Sequence, residues 1–162
     1  MKRKAAARAR RGAARTRTKP SRARAAAAEV RSEAAPLPVG PYSQAVAAGD
    51  LLFLSGQIPL DPGTQKLVAG EIEEQTVRVI ENLAAVLAAG GSSLAGVVRT
   101  TVYLTDLALF PRMNAVYARY FEQLPRPARS TLQAAALPLG AQIEIDAIAL
   151  RGRKAVRSRA RR

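Results

Sequence analysis

The stretch from Glu71 to Leu104, EIEEQTVRVIENLAAVLAAGGSSLAGVVRTTVYL, carries the clearest fold signals in this chain of 162 residues. Its first part repeats apolar positions at helical spacing, namely Ile72, Thr76, Val79, Ile80, Leu83, Val86 and Leu87. The first turn is acidic and Gly90-Gly91 follows, as the physics of helix ends favours. Val97 to Leu104 is rich in β-branched residues. We therefore predict a helix over Glu71 to Ala89 and a strand over Val97 to Leu104.

The segment before this stretch predicts two further strands. Tyr42 to Ala48 and Leu51 to Ile58 have strand character, and Gly49-Asp50 makes a turn between them. Asp61-Pro62-Gly63 is strong turn chemistry, because proline presets one backbone angle and glycine accepts unusual ones. We therefore expect two strands and a turn ahead of the helix.

The segment after it predicts a second helix and two last strands. Pro111 suits a first helical position, and Pro125 and Pro127 end the helix. The apolar stripe between them consists of Met113, Tyr117, Tyr120, Phe121 and Leu124. Ser130 to Ala136 and Gln142 to Leu150 have strand character. The order β-β-α-β-α-β-β predicts an α+β fold with two helices on one face of a mixed sheet.

The basic character of the chain belongs to its ends. The formal net charge is +14, yet residues 1–34 hold twelve basic residues against two acidic ones, and residues 151–162 hold seven against none. Residues 35–150 keep seven basic and ten acidic residues. Like charges with few apolar residues predict disorder. We therefore expect a disordered N-terminal extension over 1–34, one domain over 35–150 and a basic tail over 151–162.

The residue types that are missing restrict the chemistry. The chain has no cysteine and no histidine, which excludes disulfides, thiolate nucleophiles, thiolate zinc sites and the commonest general base. No apolar run approaches the roughly 20 residues that cross a bilayer, and the N-terminus lacks the apolar core of a secretory signal. We expect a soluble, cytoplasmic protein whose chemistry uses carboxylates, arginine, tyrosine, hydroxyls, amides and water.

Five blocks of sequence resemble the RidA (YjgF) family, and they occur in that family's order. The most specific block runs from Pro127-Ala128-Arg129-Ser130 through Ala135-Ala136-Leu137-Pro138 to Ile143-Glu144-Ile145. The others are Gly40 to Ala45, Ser55 to Pro59, Val98 to Leu104 and Met113 to Tyr117. This resemblance implies a chorismate-mutase-like fold, a homotrimer with ligand clefts between subunits, and hydrolytic deamination of imines and enamines.

The resemblance assigns the chemistry to Arg129 and Glu144. It implies that Arg129 grips the carboxylate of a 2-imino acid, such as 2-iminopropanoate or 2-iminobutanoate, at about 1.5–3 kcal/mol per charge-assisted bond. It implies that Glu144 activates the water that attacks the imine carbon, releasing a 2-oxo acid and ammonia without a metal or other cofactor. From the residues alone, Arg129 could instead pair with Glu144 or Asp146, and Glu144 could face solvent. We expect Arg129 and Glu144 to converge on a single pocket, either within one copy of the chain or between subunits.

Five more residues match positions that line the family's cleft: Tyr42, Ser55, Gly56, Asn114 and Thr131. Tyr42 is expected to pack on the substrate or hydrogen-bond to it, and Ser55 and Asn114 to hold its nitrogen, its oxygen or the water. Thr131 stands where bacterial members often have cysteine, which removes any thiol role and leaves acid–base chemistry untouched. Taken singly, Tyr42, Ser55 and Asn114 would be a core-edge aromatic, a turn hydroxyl and a helix-surface amide.

Two other classes of function stay open at this point. The basic ends would attract nucleic acid without sequence preference, and some family members are connected with RNA cleavage or translation inhibition. These ends contain no aromatic residue for stacking on bases. The fold could also bind a ligand without turning it over, as a sensor or chaperone-like module. Residues 1–29 could reflect a wrongly assigned gene start near Val30 or an organelle transit peptide.

Overall fold

A six-stranded mixed sheet with two helices on one face organises the computed structural model, which describes residues 27–152. The strands are β1 (Ala28–Val30), β2 (Ala45–Ala48), β3 (Leu51–Gln57), β4 (Val97–Leu104), β5 (Ala128–Gln133) and β6 (Ile143–Leu150). They lie in the order β1-β2-β3-β6-β4-β5, and only β4 and β5 are parallel neighbours within the described range. The helices are α1 (Ile72–Ala89) and α2 (Phe110–Phe121), with 3-10 turns at Leu94–Gly96, Leu107–Leu109 and Pro138–Gly140. The predicted α+β class is confirmed.

Helix α1 forms where the periodicity predicts it. The backbone N–H of Glu71 donates to the Glu74 side chain at 3.0 Å, which satisfies a donor that the first helical turn cannot. The helix ends at Gly90, where a β-carbon would collide with the Leu52 side chain, so the close approach to β3 requires glycine. Neither α1 nor α2, the two helices of residues 27–152, is long and apolar enough to cross a membrane.

The core lies between the helices and one face of the sheet, because strand residues alternate in direction. Leu52, Val102, Leu104, Ile143 and Ile145 are fully buried on that face. They pack with the α1 stripe and with the buried residues Met113, Tyr117 and Phe121 of α2. The opposite face has no helix over it among the described residues, and we call it the open face.

The structure corrects the element boundaries in four places. Ala28–Val30 pairs with β2 as a strand, although the sequence predicted disorder there; its three residues carry no periodic signal. Strand β2 starts at Ala45, not Tyr42, because the Tyr42 N–H turns back to Gly40 O at 2.9 Å. Strand β5 is Ala128–Gln133 and α2 stops at Phe121. The rest of the predicted extension and tail, residues 1–26 and 153–162, lies outside the described residues.

Candidate active site

Arg129 occupies a cleft of about 440 Å³ on the helix face, at the edge strand β5. We call it the arginine cleft; it is lined by Asn114, Tyr117, Ala118, Phe121, Glu122, Arg126, Pro127 and Arg129. Arg129 pairs in register with Thr100, whose hydroxyl lies 2.9 Å from the Tyr117 hydroxyl, so both side chains point toward α2. Arg129 is exposed, which leaves its charge accessible to an anion.

The guanidinium of Arg129 rests on aromatic rings of α2. Its Nη2 donates to Asn114 Oδ1 at 2.8 Å, and its central carbon lies 4.6 Å from the Tyr117 ring centre and 5.6 Å from that of Phe110. Tyr117 in turn stacks on Phe121 with ring centres 4.3 Å apart. Burial raises the pKa of Tyr117, so its ring stays neutral near pH 7. These contacts give the cation a defined position while its other N–H donors can bind a ligand.

Glu144 occupies a second cleft, of about 310 Å³, on the open face. This glutamate cleft is lined by Val39, Tyr42, Ser55, Gly56, Ile58, Pro138 and Glu144. Ile143 and Ile145 point into the core, so Glu144 between them points to the open face. Its side chain is half-buried there. Burial first, and then the charge of Asp146, raise the pKa of Glu144. Such a carboxylate is a better proton acceptor than an exposed one.

A β-bulge shapes the floor of the glutamate cleft. The pairing of β3 with β6 shifts by one residue between Leu54 and Gln57, so Ser55 and Gly56 lie in the bulge. A β-carbon built on Gly56 would overlap the carboxylate group of Glu144. Any side chain at position 56 would therefore have to displace the carboxylate end of Glu144, which glycine avoids.

The hydroxyl groups of Ser55 and Tyr42 at the glutamate cleft each form a hydrogen bond with the backbone. These bonds determine whether each hydroxyl can still donate or accept a hydrogen bond to a ligand. Ser55 Oγ donates to Ser43 O at 2.7 Å, so it can accept a further hydrogen bond through its lone pairs. Tyr42 Oη accepts from the Val39 N–H at 3.2 Å, so it keeps its own proton for donation. Together they present one acceptor and one donor beside Glu144.

The predicted site residues fall into two groups on opposite faces of the sheet. Asn114 joins Arg129, whereas Tyr42, Ser55 and Gly56 join Glu144. The two groups do not meet in a single pocket within one copy of the chain, so the predicted shared pocket would have to form between copies. The reason is strand register: Arg129 pairs with Thr100 and Glu144 with Tyr103, three residues further along β4, where the side chain points the opposite way.

The structure also shows where Thr131 lies and whether Arg129 forms an ion pair. Thr131 is half-buried on β5 opposite Val102, and it lines neither of these clefts. Among residues 27–152, no salt bridge joins Arg129 to Glu144 or Asp146. Asp146 instead accepts a hydrogen bond from the Tyr103 hydroxyl at 3.0 Å. The purely structural alternative for Arg129 therefore does not hold within one copy.

Sequence reasoning missed the aromatic support of Arg129 and the apolar wall of the glutamate cleft. Tyr117 was read only as part of the α2 stripe, although it lies three residues after Asn114 and so shares its helix face. Val39, Ile58 and Pro138 come from three separate segments. Only the spacing of Asn114 and Tyr117 could have been used in advance.

Comparison with known proteins places the whole described domain in one group. Residues 32–151 match the family model described as Endoribonuclease L-PSP. Reactive Intermediate Deaminase A, chloroplastic, of Arabidopsis thaliana is 51% identical over 115 residues, which is 71% of this chain and 61% of that one. The crystal structure of RidA from an Antarctic Psychrobacter species has a TM-score of 0.73 at 41% identity. The match covers 76% of this chain and 98% of the Psychrobacter chain. The crystal structure of E. coli TdcF with bound serine has a TM-score of 0.74 at 38% identity. The match covers 77% of this chain and 99% of the TdcF chain.

Proposed function

Since the chain belongs to the endoribonuclease L-PSP (RidA) family, we propose that it hydrolyses 2-imino acids and related enamines to 2-oxo acids and ammonia. The observation that carries this proposal is Glu144, a half-buried carboxylate with a raised pKa against the Ser55–Gly56 bulge. The relative named as a reactive intermediate deaminase supports the reaction class. The neighbour crystallised with serine supports a ligand that carries a carboxylate.

In the proposed reaction a single carboxylate, that of Glu144, transfers the protons. A guanidinium holds the substrate carboxylate, and a water oxygen bonds to the imine carbon while Glu144 takes one of its protons. That proton passes to nitrogen, which gives a carbinolamine. Glu144 then moves the hydroxyl proton to nitrogen, the C–N bond breaks, and ammonia and a 2-oxo acid leave. An enamine first gains a proton on carbon and loses one from nitrogen, which gives the imine, so every proton is accounted for without a metal or cofactor.

The cleft is proposed to form between neighbouring copies of the chain. Arg129 and Glu144 lie on opposite faces of one sheet, so a substrate that touches both needs Arg129 of one copy and Glu144 of the next. The open face also carries Phe53 and Leu132, which are 43% and 41% exposed and would be covered by association. A homotrimer, as the family resemblance implies, is the assembly we propose.

The test is a coupled assay in which a dehydratase or an amino-acid oxidase generates 2-iminopropanoate or 2-iminobutanoate in place. Ammonia and 2-oxo acid are measured with wild type, Arg129→Ala and Glu144→Gln. Arg119→Ala and Glu81→Gln are matched controls, because both are exposed charges on the helices outside the two clefts. The controls should retain wild-type rates.

The result that contradicts the proposal is equally specific. Wild type that adds nothing to the uncatalysed rate would exclude the activity, and Arg129→Ala as fast as wild type would exclude the clamp. Because Glu144 must be ionised to accept a proton, the rate should fall as pH drops through its raised pKa. Saturable binding of a 2-oxo acid without turnover would indicate a ligand-sensing module.

RNA cleavage is the second candidate, because the family model is described as an endoribonuclease. Most of the basic ends that would attract phosphates, residues 1–26 and 153–162, lies outside the described residues, so their contribution is tested directly. Labelled RNA is incubated with full-length and tail-truncated protein at about 150 mM salt, where non-specific contacts weaken. Binding that disappears with the tails would place the RNA contact there, whereas cleavage abolished by Glu144→Gln would place it in the glutamate cleft.

A further inference from the structure

The loop from Pro36 to Tyr42 forms one wall of the glutamate cleft. We call it the proline loop; Val39 and Tyr42 from this loop line the cleft. Pro36, Pro38 and Pro41 have no backbone N–H, so the loop cannot be held by a regular ladder of backbone bonds. One backbone bond, from the Tyr42 N–H to Gly40 O, lies within the loop, and the other bonds that fix its position come from side chains.

Three side chains hold the proline loop. Gln44, which is buried, donates from Nε2 to Pro36 O at 2.7 Å. The hydroxyl of Tyr42 accepts from the Val39 N–H, as described above. The third contact joins the loop to a distant part of the chain: the Leu37 N–H donates to Gln65 Oε1 at 2.9 Å, across 28 residues of sequence. Gln65 therefore connects the turn after Asp61 to the wall of the cleft.

Gln65 adopts a backbone conformation that favours glycine. Its φ is +57°, in the left-handed region where a β-carbon crowds the following carbonyl. Its backbone N–H donates to Asp61 O at 2.8 Å, and its Nε2 donates to Pro62 O at 2.5 Å. Both ends of the side-chain amide are thus engaged. Strained residues of this kind persist where surrounding contacts hold them, and they cluster at functional sites.

We propose that Gln65 is a positioning residue that sets where Val39 and Tyr42 stand in the glutamate cleft. Its amide oxygen fixes Leu37, and the stiff Leu37–Pro38 segment transmits that position to Val39. Val39 in turn donates to the hydroxyl of Tyr42. The consequence for substrate binding rests on the proposed function, whereas the position of the loop does not.

Three variants separate the effect of the Gln65 side-chain amide from the effect of its strained backbone. Gln65→Gly removes the amide and relaxes the backbone, so the loop should shift while the melting temperature does not fall. Gln65→Ala removes the same amide but keeps the strain, so the melting temperature should fall. Gln65→Glu keeps an oxygen that can accept from Leu37 and, when its carboxyl group is protonated at acid pH, also keeps a donor for Pro62 O, so in that form it should keep the loop near its wild-type position. Gln133→Ala is the control, because Gln133 also accepts a backbone N–H, that of Leu107 at 3.1 Å, on another part of the surface.

The first measurements are NMR amide exchange at Leu37 and chemical shifts at Val39 and Tyr42 in the full chain. In Gln65→Gly the Leu37 amide should exchange roughly fivefold faster, as the loss of about one hydrogen bond predicts, and both shifts should move. Gln133→Ala, and Gln65→Glu measured at acid pH, should leave the shifts close to those of wild type at the same pH. Unchanged exchange and shifts in Gln65→Gly would overturn the proposal.

The second measurement is the imine assay. Gln65→Gly should raise KM roughly threefold to tenfold with kcat nearly unchanged, because the wall of the cleft moves while Glu144 does not. Shifts that move while KM and kcat both stay at wild-type values would overturn the consequence for substrate binding. If wild type hydrolyses no imine, the proposed function fails on its own, and the exchange and shift data still decide whether Gln65 positions the loop.

Discussion

The arginine cleft and the glutamate cleft differ in how each handles its charged residue. Arg129 stays exposed and rests on aromatic rings, whereas Glu144 is half-buried against Gly56. A guanidinium remains charged in almost any surroundings, so it gains nothing from a tuned pKa and needs only a fixed orientation. A carboxylate that must accept a proton gains from partial burial, because burial raises its pKa. The arginine cleft therefore fixes the orientation of a cation, whereas the glutamate cleft increases the basicity of a carboxylate.

Replacing the base should have the largest effect. Glu144→Gln keeps the size and polarity of the side chain but cannot accept the proton from water, so kcat should fall roughly 10²- to 10⁴-fold. The measurement is ammonia release in the coupled assay, with Glu81→Gln beside it. A variant within threefold of wild type would remove Glu144 from the chemistry.

Mixing two inactive variants tests whether the two clefts work together. If Arg129 of one copy serves Glu144 of the next, an equal mixture of Arg129→Ala and Glu144→Gln, unfolded and refolded together, contains intact sites at about one quarter of the total. Activity should therefore recover to roughly a quarter of wild type. Separately refolded and then mixed samples are the control. No recovery in co-refolded samples would mean that the two residues do not complement each other across copies.

Gly56→Ala should damage the glutamate cleft and leave the arginine cleft intact. The added methyl group overlaps the Glu144 carboxylate and must displace it, which should lower kcat roughly tenfold to a hundredfold. Overpacking should also cost about 1–3 kcal/mol in the free energy of unfolding. Denaturant titration and the imine assay measure the two effects. Wild-type values of both would show that Glu144 moves aside without loss.

Tyr117→Phe should weaken the support of Arg129 without removing it. The variant keeps the ring beneath the guanidinium but breaks the buried bond to Thr100, and it leaves the Thr100 hydroxyl without that partner. The free energy of unfolding should fall by about 1–3 kcal/mol, while KM should stay within about twofold of wild type. A large rise in KM with unchanged stability would mean that the hydroxyl itself acts on the ligand.

The smallest expected effect is on the pH dependence of stability. Because folding raises the pKa of Glu144, the stability that its protonated form contributes is present below the unfolded pKa and is lost as pH rises through the folded pKa. Glu144→Gln should therefore gain stability relative to wild type as pH rises from about 4 to 8. The gain should stay below about 1 kcal/mol, because water screens a half-exposed carboxylate. Melting curves across that range measure it, and a gain that grows toward acid pH would contradict the sign.

Much of the fold could be predicted because it depends on local patterns. Strand Val97–Leu104 and helix Ile72–Ala89 agree with their predicted bounds to within one residue, since their apolar periodicity matches the surface that each buries. Strand Ala28–Val30 could not be predicted, because its stability comes from pairing with Ala45–Ala47 and not from its own three residues. The start of β2 was misplaced for a similar reason, since Tyr42 belongs to the loop through a contact with Val39.

The sequence by itself determined the kinds of group available for chemistry. Without histidine or cysteine, the residues that match the family's motif are an arginine, a glutamate and several hydroxyl and amide side chains. Only the tertiary structure decided how they are grouped, because the side-chain direction of a residue depends on strand register, and register depends on pairing between distant segments. That register puts Arg129 and Glu144 on opposite faces, and the bulge at Gly56 gives the carboxylate its burial.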